Sequence, residues 1–527
     1  MGKIPKATKI PWLIFLLSVI FVGHFSKKLY YFRWIGYESI PGGTAILDEK
    51  NYVSAGYSFR KTGIPTAWSN LDAYVILAKE KKRANSTEFN GISITLGGNT
   101  PDLKNKKNFD YPIIHVADVD IGKGQESILI VQPFFDHSPL SGIFYSLGVK
   151  NPPRFFADFK MEEYRKGALV LGILTSVLLF YCAYLLTKSW WAAGFSFFVY
   201  SLAPTYILTS RYALIENFLI PLSLLVIIFL QLFKQKRQSI WLILGGIATG
   251  LAISTKETGI FVLIMGLVIL IRERLPIKKL LIYLIPGLII GLIFYFYAFW
   301  LAPELWQNLF LNQANRGFFG PLNILYSASQ LHFAGFPLDG FWLWGLILIP
   351  VLFFRKERPG EILIGFASYL LVLLIFAGSN YPWYYLPFIP FLVLASGCEL
   401  AYLLKQPNIA SLALFFLLPF STALYWGRNV YRRGGQVGFY RLIIMLFLAS
   451  LVVAKLRRVN WAIVKRKTPK FLLPIIDLFG WKDGLVFQVG WYLSFGLFLY
   501  LTYKWSRQGF QYIIANWNKL PEQFRLK

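Results

Sequence analysis

At 527 residues, with 56% hydrophobic, 18% aromatic and only 15% charged side chains, the chain carries more apolar surface than a soluble core of this size can hide. A formal net charge of +28 is of the kind seen in nucleic-acid binders, but here the basic residues gather in short connectors between apolar runs: 234–237, 272–274 with Lys278 and Lys279, 355–358 and 455–470. That is the positive-inside pattern of a multi-pass membrane protein, whose connectors also meet anionic headgroups, and it excludes nucleic acid as the partner. Cys182 and Cys398 both fall in apolar runs and read as buried packing, not as a disulfide.

In chain order, a lysine-rich start precedes an apolar run at 10–25, read as a retained first span with its beginning in the cytoplasm. A long polar segment then extends to about residue 166. Its middle, 60–132, reads as a small soluble insert, with alternating stretches at 92–96 and 127–131 as strands and Gly122-Lys123-Gly124 as a turn. The nearly charge-free run at 169–186 is the second span. Residues 190–233 hold only Arg211 and Glu216 as charges. As one helix they would run about 66 Å, against roughly 30 Å of hydrocarbon, so they form two spans with a turn near Pro204 and 210–217. By the same arithmetic 240–271 is a hairpin broken at Thr255-Lys256-Glu257-Thr258-Gly259. Further spans are expected at 281–301, before 355–358, up to 378–380 and on to Lys405, with 409–426 a further apolar run. The count is about thirteen, and it becomes ambiguous after Lys405, where Arg428, Arg432 and Arg433 fall on the outer side.

Counting crossings places Asp48, Glu49, Asp136, His137, Arg211, Glu216, Lys256, Glu257 and 381–385 together on the outer side, near span ends. Each group has a structural and a chemical reading. Asp48-Glu49, after Pro41-Gly42-Gly43-Thr44, fits a helix N-terminus, or a general base at the membrane surface. Asp136-His137-Ser138-Pro139 fits a helix start, or contacts to a sugar or phosphate. Lys256 at the edge of an apolar hairpin needs a counter-charge, either Glu257 or a lipid phosphate. Arg211 and Glu216 pose the same choice, and their five-residue spacing points them to different sides of a helix. The 378–390 stretch, with Tyr384, Tyr385 and three prolines after Tyr381, fits interfacial anchoring of a kinked span or a groove for lipid or sugar. Four dispersed histidines make a histidine-rich metal site improbable.

Taken together and in order, these motifs resemble the GT-C superfamily, and within it the protein O-mannosyltransferase and aminoarabinose-transferase families. The residues that carry the resemblance are Leu47-Asp48-Glu49, Asp136-His137-Ser138-Pro139-Leu140, Ser210-Arg211 with Glu216, Ser254-Thr255-Lys256 and the 384–390 stretch, within roughly residues 40–400. Ser138 stands where that family's element has a first proline, and Glu216 where it usually has Asp. The resemblance implies an all-α, GT-C-like integral membrane protein; the apolar runs give about 11–13 transmembrane helices, and the alternating stretches within 60–132, which have no counterpart in that family, add a small α/β or β-rich extracytoplasmic insert. The expected organisation is 1–59 first span and outer loop, 60–132 insert, 133–405 transmembrane core and 406–527 C-terminal region.

The implied activity is an inverting glycosyl transfer from a polyprenyl-phosphate sugar on the extracytoplasmic face of the cell membrane, with no cofactor and no divalent metal. Asp48 is the expected general base. Lys256, Arg211 and His137 are the expected phosphate ligands, and Glu49, Asp136, Glu216, Glu257, Tyr384 and Tyr385 the substrate-orienting residues. The alternative is a transporter or flippase of lipid-linked sugars, opposed by polar sites that lie at one face instead of the midplane. A metal-dependent oligosaccharyltransferase-like enzyme is disfavoured because Trp190-Trp191 is followed by Ala-Ala-Gly.

Overall fold

A computed structural model describes residues 44–69, 71, 73–74, 113–120, 125–150, 159–314, 324, 332–333, 336–337, 340–353, 359–376, 381–405, 469, 495–496, 498–504 and 506–507. The expected first span, the strand at 92–96 and the run at 409–426 lie outside these residues.

The described chain is dominated by helices whose limits follow the apolar runs. Helix α1 (Thr44–Thr62) is polar and is followed by strand β1 (Ala67–Trp68), β2 (Ile113–Asp120) and β3 (Gln125–Gln132). The strands form an antiparallel sheet in the order β1-β3-β2, with Ala67 opposite Val131 and Asp120 opposite Gln125. The strand expected at 127–131 lies inside β3. Helix α1 runs through residue 60, where the insert was expected to begin. Ile64, Ala67, Val131 and Phe134 pack in one core with Phe294, Ala298 and Leu301 of a membrane helix.

The short α2 (Leu140–Ser146) follows Pro139, the expected helix start. It crosses α1 backbone to backbone, since a Cβ on Gly142 would lie 1.8 Å from the Tyr52 carbonyl oxygen. Then come α3 (Met161–Thr187), α4 (Trp190–Leu202), α5 (Pro204–Thr209) and α6 (Ile215–Lys236). The break demanded by length falls where Pro204 opens α5, and the chain reverses through 210–214. Arg211 therefore lies in a turn and Glu216 in the first helical turn of α6. They do not share a helix, so their spacing carries no facing rule.

Helices α7 (Ile240–Thr255) and α8 (Ile260–Arg272) are joined by Lys256 and a single 3-10 turn at Glu257–Gly259. The long α9 (Ile277–Leu301) lies close against α7, where a Cβ on Gly250 would meet the Gly287 carbonyl oxygen at 2.7 Å. Such close approach by small residues is how helices associate where lipid removes the hydrophobic drive. The outward face of α9 exposes Ile285, Ile289, Ile293 and Phe296, as a lipid-facing helix should. Helix α10 (Pro303–Ala314), a small strand pair β4 (His332–Phe333) and β5 (Phe336–Pro337), α11 (Gly340–Phe353), α12 (Gly360–Phe376), a 3-10 helix (Pro382–Phe388) and α13 (Ile389–Lys405) follow, and helical residues Phe495 and Phe498 pack into the bundle core.

Among the described residues, 161–187, 215–236, 277–301 and 382–404 are long and apolar enough to cross a membrane, and 240–255, 341–353 and 360–375 are shorter apolar helices. The protein is a multi-pass membrane protein.

Candidate active site at the α1, α6 and α7 ends

Asp48 and Glu49 do not sit at a helix N-cap. They occupy the second turn of α1, where successive side chains diverge by about 100°. That divergence gives the two carboxylates different environments.

Glu49 is fully buried and chelated. It accepts from Arg165 Nε at 2.9 Å and Nη2 at 2.5 Å, and from the Ala213 backbone N–H at 2.6 Å. The Arg165 guanidinium lies 4.8 Å from the Tyr212 ring centroid. A planar fork stacked on an aromatic ring is the geometry Arg supplies and Lys does not. One residue thus ties α1 to α3 and to the turn before α6. The same turn is held by Asn217, which donates to the Thr209 and Tyr212 carbonyls at 2.6 and 2.9 Å, and by the Tyr145 hydroxyl, which donates to Leu214 at 2.9 Å.

Asp48 is half-buried. Burial foremost, then the charge of Glu216, opposed by Lys256 and aided by Glu49, push its carboxyl up to about 7. A carboxylate poised near neutrality is suited to accept a proton. Tyr52, one turn along α1, feels the charges of Asp48 and Glu216 and packs edge-on against His137 at 5.6 Å between centroids. His137 is thereby brought beside the Asp48 helix.

Lys256 ends α7 with an extended backbone, and its side chain turns into the bundle. Its Nζ lies 2.5 Å from Glu216 Oε1, with the two side chains 6% and 1% exposed, and 4.2 Å from the centre of the Tyr384 ring. Of the two partners the sequence offered Lys256, a lipid phosphate and Glu257, the second is its neighbour in the chain. Glu257 lies on the exposed side of the 3-10 turn, and the hydrogen-bonded counter-charge comes instead from forty residues away.

The remaining expected site residues divide in two. Arg211 is buried in the turn that also holds Tyr212 and Ala213, next to the Glu49 clamp. Asp136 accepts from Ser69 Oγ at 2.6 Å and the Tyr74 hydroxyl at 2.8 Å, pinning the segment after β1 to the approach to α2. Tyr385 is buried and donates to the Ile324 carbonyl at 3.2 Å. Tyr384, beside it, presents its ring to Lys256 while its carbonyl accepts from the Tyr369 hydroxyl. Asp48, Glu216, Lys256 and Tyr384 therefore form one cluster, and Asp136 and Tyr385 have structural contacts.

Arg165 is the residue that sequence reasoning missed. It sits in Glu162-Glu163-Tyr164-Arg165-Lys166, which reads as an ordinary charged flank of a span. Its only local signal is that, in a helix beginning at Met161, it lies about one turn inside.

Residues 130–312 match the family model described as dolichyl-phosphate-mannose-protein mannosyltransferase. No curated protein matches the chain. Among solved structures, ArnT from Cupriavidus metallidurans bound to undecaprenyl phosphate aligns at 16% identity over 95% of this chain and 78% of that one, with a TM-score of 0.47. The apo form of the same protein aligns at 15% identity over 94% and 76%, with a TM-score of 0.47. Over the stretch that carries Arg165, Arg211, Glu216 and Lys256, the chain is therefore similar to the dolichyl-phosphate-mannose-protein mannosyltransferases, the family its ordered motifs resemble.

Proposed function

We propose that the chain is a membrane glycosyltransferase that takes a sugar from a polyprenyl-phosphate donor and transfers it, with inversion, to an acceptor on the extracytoplasmic face. The observation that carries this reading is the pairing of a half-buried carboxyl near neutrality, Asp48, with a buried cation, Lys256, in one cluster at the helix ends. The family similarity of residues 130–312 supports the donor class.

In this mechanism the acceptor hydroxyl or amine attacks the anomeric carbon while Asp48 takes its proton. The bond between that carbon and the phosphate oxygen breaks, and its electron pair stays on the departing lipid phosphate. Negative charge grows on that phosphate in the transition state, where Lys256, backed by Arg211 and His137, stabilises it. Glu49 acts through Arg165 and Ala213 by fixing the angle of α1. No metal takes part, and chelator is expected to leave turnover unchanged.

The test is donor turnover in purified D48N protein, which keeps the shape of the side chain and removes its basicity. A loss of about 10²–10⁴-fold is expected. Turnover near wild type would remove Asp48 from the base role.

A further inference from the structure

Two buried acids in this site are held in opposite ways. Glu49 is saturated: three N–H groups on two elements bind its oxygens, so it has no freedom to leave. Glu216 has one hydrogen bond, from Lys256, and its Oε2 is buried without a hydrogen-bond partner among the described residues. A carboxylate with one oxygen unsatisfied is the weaker occupant of a buried site. Lys256, for its part, has a second anchor that is neutral, the Tyr384 ring. If the carboxylate withdraws, the ring still holds the ammonium in place by cation–π attraction.

We propose that Glu216 is a built-in stand-in for the donor phosphate: it neutralises Lys256 while the site is empty and must give up that contact when the phosphate arrives. This rests on the proposed role of Lys256 as the phosphate ligand. The exchange is chemically matched, one anionic oxygen for another at the same ammonium. It solves a problem of the empty site, because an unpaired lysine this deep is costly in a membrane protein. It also gives product a way out. When the glycosidic bond breaks, the phosphodiester becomes a phosphate monoester of higher charge that would bind Lys256 more tightly than the donor did. Return of Glu216 to Lys256 competes it away.

The experiment measures binding of a short-chain polyprenyl phosphate and, separately, of inorganic phosphate, to the full-length wild-type, E216Q and K256Q proteins in detergent. For E216Q, the lipid phosphate is expected to bind 10-fold or more tightly than to wild type. The empty E216Q protein is expected to melt several degrees below wild type, with the gap closing at saturating lipid phosphate, because the ligand restores the missing counter-charge. Equal or weaker binding by E216Q, or a melting gap that persists at saturation, would overturn the stand-in role and leave Glu216 as a fixed support for Lys256. If E216Q does not accumulate, E216D keeps the charge but withdraws the oxygen by one methylene, and a smaller tightening is expected; unchanged or weaker binding overturns the proposal equally. Tightening toward inorganic phosphate alone would make the site one for a free anion and also overturn it. Unaltered lipid-phosphate binding by K256Q would instead defeat the phosphate role of Lys256 itself, which separates that failure from this one.

Discussion

The consequences of one raised carboxyl run in two directions. Asp48 has an ordinary value of 3.8 and is pushed up to about 7, so it becomes a base only as pH rises past neutrality. The acid limb of kcat/KM, which reports the free enzyme, is expected to fall about tenfold per pH unit below 7. D48N protein is expected to lose that limb along with its activity. The stability consequence has the opposite sign to that of a salt-bridged acid. A group whose folded value lies above its unfolded one favours the folded state only at low pH, and that advantage is lost between about 4 and 7. At pH 8 the ionised Asp48 therefore opposes folding, and D48N is expected to be more stable than wild type by about 1–3 kcal/mol. Thermal unfolding in detergent at pH 8 and pH 5 checks this, with the gain shrinking at the lower pH. Loss of activity with gain of stability is the signature of a residue kept for chemistry.

Glu49 predicts the reverse. Truncating Arg165 to Met leaves a fully buried carboxylate without its two charged hydrogen bonds, and breaking a buried pair from one side costs about 3–5 kcal/mol. R165M is expected to unfold well below wild type, with most of the loss recovered in the E49Q/R165M double variant. R165K should not restore it, since an ammonium has neither the fork nor the flat face that lies over Tyr212.

Among the elements, the helices were legible and their mutual contacts were not. That two runs must fold back followed from length, since each is too long for one crossing; Pro204 with 210–217 and the polar 255–259 marked where, and α5, α7 and α8 fall at those marks. Asp48, Glu216 and Lys256 were legible as charges on one side. That Lys256 meets Glu216 and not Glu257 was not legible, because it depends on how α6 packs beside α7, and no local period encodes that. Arg165 escaped for the same reason: its partner is more than a hundred residues away.

The crossing of α1 and α2 is equally silent in sequence and equally consequential. A Cβ on Gly142 would meet the Tyr52 carbonyl oxygen at 1.8 Å and carbon at 2.7 Å, and backbone atoms cannot rotate aside. G142A must push α1 away, and overpacking of this kind costs about 1–3 kcal/mol. Since α1 carries Asp48, the expected result is a lowered melting temperature together with a fall in kcat larger than the stability loss explains. Steady-state kinetics on folded G142A protein distinguishes this from simple unfolding.

At the scale of the whole molecule, the two ends of the bundle carry different kinds of charge. The end with Lys256 is arranged around acids: Asp48, Glu49, Glu216 and the exposed Glu257. The opposite end collects Lys236, Arg237, Arg272, Arg274, Lys278 and Lys279 at helix limits, and there Lys234 bridges Glu361 at 2.7 Å and Glu273 at 2.8 Å, joining α6, α8 and α12. Helix α7 connects the two ends, and its sixteen residues span about 24 Å. In the proposed orientation the charge bias turns the basic end to the cytoplasm and the Asp48 cluster to the outside. Single cysteines test this directly. Cys182 is buried and Cys398 half-buried, so both can be replaced by Ala or Ser to clear the background. E257C, on the exposed side of the 3-10 turn, is expected to react with a membrane-impermeant maleimide in intact cells. Q238C, exposed at the opposite end of α7, is expected to react only after permeabilisation. The reverse pattern would put the site in the cytoplasm, and the donor and acceptor would then have to be sought on that side.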